Sequence, residues 1–443
     1  MTKEELLNLK IGVISLGCDK NRVDLEYMLS ALKDYGFNFT NNLEESDIVL
    51  INTCAFIKIA RDESFENIEE VVGLKKQGNV KKIFVTGCLP QKMFDELKMK
   101  YPYVDKFIKL SDNNKIINII ENEFLGNSDF KYKVNYDRLL TTPKHYAYLK
   151  IADGCNNFCS YCTIPFIRGR FRSREMEEII KEAKKLTSYG VKEINLVAQD
   201  LTSYGIDLYK EYKLVKLIQE LSKIKNLEVI RLLYCYPELI SDELLNEINS
   251  NPKVSKYIDI PLQHIDDNVL KAMNRRWNEE DTIKLIEKIK NNYSNICLRS
   301  TFIVGFPGED KKAFKKLCDF LTKYKLDYVG FFKYSKEEYT KAYYLDNQVP
   351  EKVKDKRLKI LQKLQEKVFV ENSKKYINNK EIVLIDSFEN DYFVGHMINS
   401  VPDVDFPVII NYNENIKIGN FYEILIDDFN KDYYVGELYE STK

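Results

Sequence analysis

One cysteine-crowded loop constrains this chain more than any other stretch. Between Tyr146 and Arg174 the sequence reads YAYLKIADGCNNFCSYCTIPFIRGRFRSR. Tyr146 to Ala152 reads as a strand, with Tyr146, Tyr148 and Ile151 supplying aromatic and β-branched character, and Asp153 and Gly154 end it. Cys155, Cys159 and Cys162 then follow as C-x3-C-x2-C. Three thiolates so close can bind one metal centre. Structural zinc takes four closed ligands, and the loop offers no fourth Cys or His. A cubane cluster has four irons, so three thiolates leave one iron open. An open iron can bind and reduce something. The position, just after a strand, is where α/β barrels keep their chemistry. The rival reading is a zinc site completed by a distant ligand, or buried structural thiols.

Upstream, three apolar strands each end at a cysteine: IGVISLGC at Cys18, DIVLINTC at Cys54 and KKIFVTGC at Cys88. A helical pattern follows each one, over Arg22 to Tyr35, Ala60 to Lys76 and Gln91 to Lys100. Strand–helix alternation predicts a parallel sheet in a first domain spanning 9–125. Parallel strands present their carboxyl ends along one edge, where ligands bind at a switch in strand order. Cys18, Cys54 and Cys88 can converge there on a second cluster with a second open iron. The bland alternative is three small buried residues at strand ends.

Residues 126–142 read as a polar linker. A second domain, 141–371, carries candidate strands at 146–152, 192–198, 228–234, 256–261, 296–303 and 327–333, with amphipathic helices between them. Six βα units predict an open partial barrel, short of the usual eight. Polar clusters follow several strands: Gln199 with Asp200, Gln263 with His264, and Gly305 with Pro307 and Gly308. These are candidates for holding cofactor or substrate; each also suits a cap or turn, and His264 suits a structural role. Arg168, Arg170, Arg172 and Arg174 alternate after the triplet, as anion binders or as a solvated strand face with ion pairs. Cys297 and Cys318 read as core. Residues 350–377 read as one long helix with Val353, Leu358, Leu361, Leu364 and Val368 on its apolar stripe.

From 374 to 441 the pattern turns to five short alternating segments, EIVLID, YFVGHMI, PVIINY, FYEILID and DYYVGELY. They predict a small antiparallel β-barrel of the oligonucleotide-binding (OB-like) kind. Lys374 to Lys443 holds thirteen Asp or Glu against six Lys and no Arg, a net of −7. Nucleic-acid binders of this kind use a positive groove, so an acidic barrel points to a basic protein partner, ribosomal proteins among them. The fold class is therefore α/β multidomain: a parallel-sheet domain, an open (βα)6 partial TIM barrel and a small β-barrel.

Composition supports this. The 443 residues, 44% hydrophobic and 30% charged, are enough for two to four domains with ample core, and a net charge of −1 shows no global pull toward nucleic acid or membrane. No signal peptide is read at the start and no apolar run is long enough to span a bilayer. Nine cysteines without a secretory signal point to a reducing cytoplasm and to metal ligation over disulfides.

The chain resembles the radical S-adenosylmethionine methylthiotransferases across all three domains, the last being a TRAM barrel in that family. The six cysteines match its two cluster sites one by one. The resemblance implies two [4Fe–4S] clusters, on Cys18, Cys54 and Cys88 and on Cys155, Cys159 and Cys162, with S-adenosylmethionine on the open iron of the second. Tyr161 stands at the aromatic position near the adenine, and Gln199 is a further cofactor contact. SLGCDKNRVDLE, INTCAFI, VTGCLPQ, YSKEEYTKA and PDVD resemble the branch that methylthiolates an aspartate of ribosomal protein S-twelve. Departures are Asp19 for a usual Pro, Tyr339 for Gly, His396 for Arg and Phe406 for Gly, none of them a cluster ligand. The resemblance implies a low-potential electron donor such as flavodoxin or ferredoxin. The rivals are a tRNA adenosine methylthiotransferase and a non-catalytic iron–sulfur redox module.

Overall fold

The computed structural model describes residues 1–131 and 137–439. Positions 132–136 of the expected linker and 440–441 of the expected third domain lie outside them. The chain forms two compact units. The first comprises Met1–Thr141 with Asp153–Asn156 and Cys162–Phe171; the second holds Thr142–Ala152, Asn157–Tyr161 and the remainder from Arg172.

In the first unit a five-stranded parallel sheet runs through β1 (Lys10–Ser15), β2 (Asn38–Thr40), β3 (Ile48–Thr53), β4 (Lys82–Gly87) and β5 (Lys106–Phe107). Its spatial order is β2-β1-β3-β4-β5. This is a doubly wound order, with its switch point between β1 and β3. Helices α1 (Asp19–Tyr35), α2 (Lys58–Lys76), α3 (Cys88–Lys100) and α4 (Ile116–Leu125) cover it. Strand β3 is buried along its whole length. Its residues alternate between two cores: Ile48 and Leu50 pack with Leu25, Met28 and Ile117, while Val49 and Ile51 pack with Ile68, Val71 and Leu97. A strand covered on both faces reads as an unbroken apolar run, which is why DIVLINT was legible. Each buried aliphatic contributes about 1.5–3 kcal/mol. Strands β2 and β5 were not foreseen; three and two residues are too short to show a period.

In the second unit six parallel strands form an open sheet: β6 (Tyr146–Lys150), β7 (Glu193–Val197), β8 (Val229–Leu232), β9 (Val254–Gln263), β10 (Cys297–Val304) and β11 (Tyr328–Lys333), in simple sequential order. All six coincide with segments read as strands. Helices between them, such as α5 (Met176–Ser188) and α6 (Glu279–Asn292), are amphipathic and face the sheet with Ile179, Ala183, Leu285 and Ile289.

The long helix α7 (Glu351–Ser373) departs from the expected stripe. Val353 is exposed and Leu358 and Leu364 are half-buried, while Lys354, Arg357, Leu361, Gln365 and Val368 are buried. The reason is charge compensation. Lys354 donates to the Tyr334 carbonyl at 3.0 Å and Arg357 pairs with Glu309 at 2.5 Å, so both cations enter the interior satisfied.

The five segments after α7 close into a barrel: β12 (Lys380–Glu389), β13 (Tyr392–Met397), β14 (Val408–Asn411), β15 (Phe421–Phe429) and β16 (Tyr434–Leu438). Four pairings are antiparallel and the β14–β16 seam is parallel. Closure removes the open edges that would otherwise template aggregation. A polar seam within this unit joins the barrel to the sheet. His396 bonds Glu193 at 3.0 Å and Asp386 at 2.7 Å, His145 bonds Asp386 at 2.8 Å, and Tyr257 donates to Asp405 at 2.9 Å.

Candidate active site

In the first unit Cys18, Cys54 and Cys88 follow β1, β3 and β4 and lie at the carboxyl edge of the sheet, beside its switch point. Cys18 stands at the N-cap of α1 and Cys88 is the first residue of α3. A Cβ at Gly17 would stand 3.0 Å from the Cys54 Cβ and 3.4 Å from its Sγ, and its φ of +94° favours glycine; the two loops approach as closely as backbone permits.

Buried polar groups lock these loops. Asn21 donates to the Leu16 carbonyl at 2.9 Å and to the Thr53 carbonyl at 3.1 Å, and Asn52 donates to the Asn21 carbonyl at 2.9 Å. The Ser64 hydroxyl accepts from the Cys54 N–H at 3.1 Å and donates to its carbonyl at 3.0 Å. None of Asn21, Asn52 and Ser64 was singled out from sequence. The N in CDKN and the N in INTC were visible, but nothing local distinguishes a loop lock from a turn former.

The same unit contains Cys155 and Cys162. The Cys155 N–H donates to the Gly169 carbonyl at 3.2 Å, and the Ile164 N–H donates to the Cys162 Sγ at 3.4 Å. Gly154, at φ +78°, fits only because it lacks a Cβ, which would lie 2.2 Å from the Arg170 carbonyl oxygen. Arg168 is buried here. It pairs with Asp24 at 2.8 Å and Asp153 at 3.2 Å, and lies 3.4 Å from Asn21 Oδ1 and 3.7 Å from Cys88 Sγ. Arg168 is thus a holder of carboxylates, as one of the two readings had it, and not part of a solvated strand face. Arg174, in the second unit, is likewise paired, with Glu182 at 2.7 Å.

Cys159 belongs to the second unit. Its Sγ lies 3.7 Å from Arg275 Nη1 and 3.9 Å from the Tyr236 hydroxyl. The flanking backbone is fastened to the strand carboxyl ends: Asn157 donates to Asp200 at 2.8 Å, Asn274 donates to the Phe158 carbonyl at 2.9 Å, and the Ser160 N–H donates to the Met273 carbonyl at 2.9 Å. Asp200, one of the polar candidates, thus serves the cysteine loop, with Thr202 and Ser203 as its other donors. Tyr161 packs edge-on against Phe306, at 6.4 Å between centroids, in a cluster with Val269, Met273 and Tyr334. Gln199 lies half-buried two residues beyond β7. His264 is fully buried, its Nδ1 accepting from the Asp266 N–H at 3.0 Å and its Nε2 3.4 Å from Glu309, a structural histidine. Cys235 and Cys297 are buried and Cys318 is half-buried on a helix.

The donor set fits an iron–sulfur cluster. Burial pushes the Cys54 thiol up, and pushes Cys88 up to about 12 against the opposing pull of Arg168. Such thiols hold their protons against water and release them on binding a metal cation. Among the described residues no three His, Cys, Asp or Glu side chains are gathered as ligands of a single ion.

Comparison with known proteins agrees with this geometry. Residues 149–321 match the radical SAM superfamily and residues 10–109 match the family described as uncharacterized protein family UPF0004. The solved structure of the radical S-adenosylmethionine methyltransferase TsrM from Kitasatospora setae, with cobalamin and a [4Fe–4S] cluster bound, has a TM-score of 0.55 at 14% identity, covering 75% of this chain and 76% of that one. The fold is that of a radical S-adenosylmethionine protein. Two curated relatives are more specific. The ribosomal protein uS12 methylthiotransferase RimO of Clostridium botulinum (strain Eklund 17B) is 45% identical over 420 residues, 93% of this chain and 94% of that protein. The protein of the same name from Thermoanaerobacter sp. (strain X514) is 42% identical, over 93% of this chain and 95% of its own length. The chain belongs to the radical S-adenosylmethionine methylthiotransferase family, in its RimO branch. It is a radical S-adenosylmethionine transferase whose cofactors are [4Fe–4S] and S-adenosylmethionine.

Proposed function

We propose that this protein converts a C–H bond at the β-carbon of an aspartate in ribosomal protein S-twelve into C–SCH3. In this reading Cys18, Cys54 and Cys88 hold one [4Fe–4S] cluster and Cys155, Cys159 and Cys162 hold the other, within domains at 9–125, 141–371 and 374–441. That C–H bond is unactivated, and no side-chain base could remove its proton at neutral pH. When bound, the clusters and S-adenosylmethionine supply the low-potential electron, the hydrogen-abstracting radical, the sulfur and the methyl group. The polypeptide positions the sulfurs, with Cys54, Cys88 and Cys155 buried away from water, and docks the substrate. Tyr161 and Gln199 are the proposed cofactor contacts, a flavodoxin-like or ferredoxin-like protein the electron donor, and the cytoplasm the setting.

The observation that carries this reading is the placement of Cys18, Cys54 and Cys88 together at the switch point of a doubly wound sheet. Reconstituted anaerobic protein is expected to carry eight irons by chemical assay, four per cubane. A Cys155, Cys159 and Cys162 triple Ala variant should keep half of that and produce no 5′-deoxyadenosine. Cofactor cleavage that survived in this variant would refute the assignment.

The barrel favours a protein substrate over tRNA. Glu389, Asp391, Glu414, Glu423, Asp427, Asp428, Asp432 and Glu437 are all exposed on it. Beside them Phe388, Tyr392 and Tyr412 are exposed at 41%, 45% and 66%, a platform for a basic protein chain. Mass spectrometry of ribosomal protein S-twelve and of tRNA from cells with and without the gene separates the two substrates.

A further inference from the structure

In the second unit the buried guanidinium of Arg275 lies beside Cys159. Its side chain is only 8% exposed. Nη2 donates to the Pro261 carbonyl at 2.8 Å, Nη1 lies 3.7 Å from Cys159 Sγ, and the guanidinium stacks 4.1 Å above the Tyr236 ring. Among the described residues Nε has no hydrogen-bond partner and no carboxylate lies within 4.0 Å of the group; Glu238 feels its charge only at longer range. Arg168, by contrast, is answered by both Asp24 and Asp153. A guanidinium stays charged at any accessible pH. Burying one without an anion is costly, and burial is retained where an anion completes it. The sulfur it faces belongs to a residue placed above among the cluster ligands.

We propose that Arg275 is the counter-cation of the cluster held by Cys159, a positioning residue that sets its reduction potential. The inference rests on the assignment of that cluster. The step is a one-electron reduction by an external low-potential donor. The cluster gains one negative charge, no bond forms or breaks, and the fixed positive charge of Arg275 stabilises the reduced state more than the oxidised one. Hydrogen bonding toward sulfur acts in the same direction.

The test is an anaerobic dithionite titration of the reconstituted holoenzyme, followed by EPR. The relevant signal is the one that changes when S-adenosylmethionine is added. Arg275→Gln is expected to keep its iron and sulfide and to lose at least tenfold in the reduction equilibrium, a midpoint lower by about 59 mV for one electron. Arg275→Lys, which keeps the charge, should recover most of that shift. A midpoint in Arg275→Gln indistinguishable from the native one would overturn the proposal. If Arg275→Gln failed to hold the cluster, Arg275→Lys would decide: a near-native midpoint supports the charge role, and loss of the cluster there too marks the guanidinium as a purely structural fork. Native protein without any S-adenosylmethionine-responsive cluster would instead sink the assignment itself.

Discussion

Replacing Arg168 by alanine would leave Asp24 and Asp153 facing one another without their cation. The side chain is 5% exposed and its pairs are direct, so the loss is that of a broken buried pair, about 3–5 kcal/mol. We expect Arg168→Ala to unfold at markedly lower denaturant, and a double Asp24→Asn, Asp153→Asn change to recover part of the loss. A drop below about 1 kcal/mol, the range of exposed pairs, would show that Arg168 is screened after all. At this scale the strand-end placement of Cys18, Cys54 and Cys88 was legible, because each closes an apolar run along the chain. Arg168 and Arg275 were not legible as partners of cysteine. Arg275 sits 116 positions from Cys159 and Arg168 80 from Cys88, and no local pattern encodes contacts made by tertiary folding.

Between elements, the seam that fastens the barrel to the six-stranded sheet makes stability depend on pH. Burial opposes charge on His396, but Glu193 and Asp386 outweigh it and raise its pKa from 6.5 to about 9. Arg231 and then His396 hold the Glu193 carboxyl below its ordinary value despite burial, and His145 and His396 do the same for Asp386. A raised histidine contributes fully below the unfolded value of 6.5 and loses its contribution as pH climbs through about 9. The depressed carboxylates act oppositely, contributing above their unfolded values and failing in acid. The histidine contribution is on the order of 3 kcal/mol. Unfolding followed between pH 6.5 and 9.5 should therefore show a falling midpoint, and His396→Gln should flatten that fall. An unchanged slope in the variant would remove His396 from the account. The strands and helices this seam joins were nearly all readable, since burial on one face leaves a period of 3.6 or 2 and burial on both faces leaves an unbroken apolar run. What could not be read was the short β2 and β5, the parallel β14–β16 closure, and the charged underside of α7, each decided by partners distant in sequence.

Across the whole chain the charge is nearly balanced, at −1, while the last seventy positions carry −7, so the acidity of the barrel is a local property set against a basic remainder. Local fields of this kind steer oppositely charged partners and fix their orientation, and they weaken within about a Debye length as salt rises. On the barrel, Phe388 packs at a tilt against Phe393 at 4.8 Å and edge-on against Tyr412 at 5.9 Å, and Glu389, Asp391 and Glu414 are exposed. Rigid aromatics ringed by carboxylates suit a Lys- and Arg-rich protein segment, through cation–π contact at the centre and ion pairing at the rim. Reversing the three carboxylates to Lys should therefore raise the KM for ribosomal protein S-twelve at least tenfold at low ionic strength. That penalty should shrink as salt is added, because the native enzyme loses its steering while the variant has none to lose. Iron and sulfide content should not change, since none of the three approaches a cysteine loop in sequence. Replacing Phe388 and Tyr412 by Ala should raise KM as well, but with little salt dependence, because the lost contact is desolvated. A charge-reversed barrel that bound the ribosomal protein with native affinity at every ionic strength would place the substrate-docking surface elsewhere on the chain.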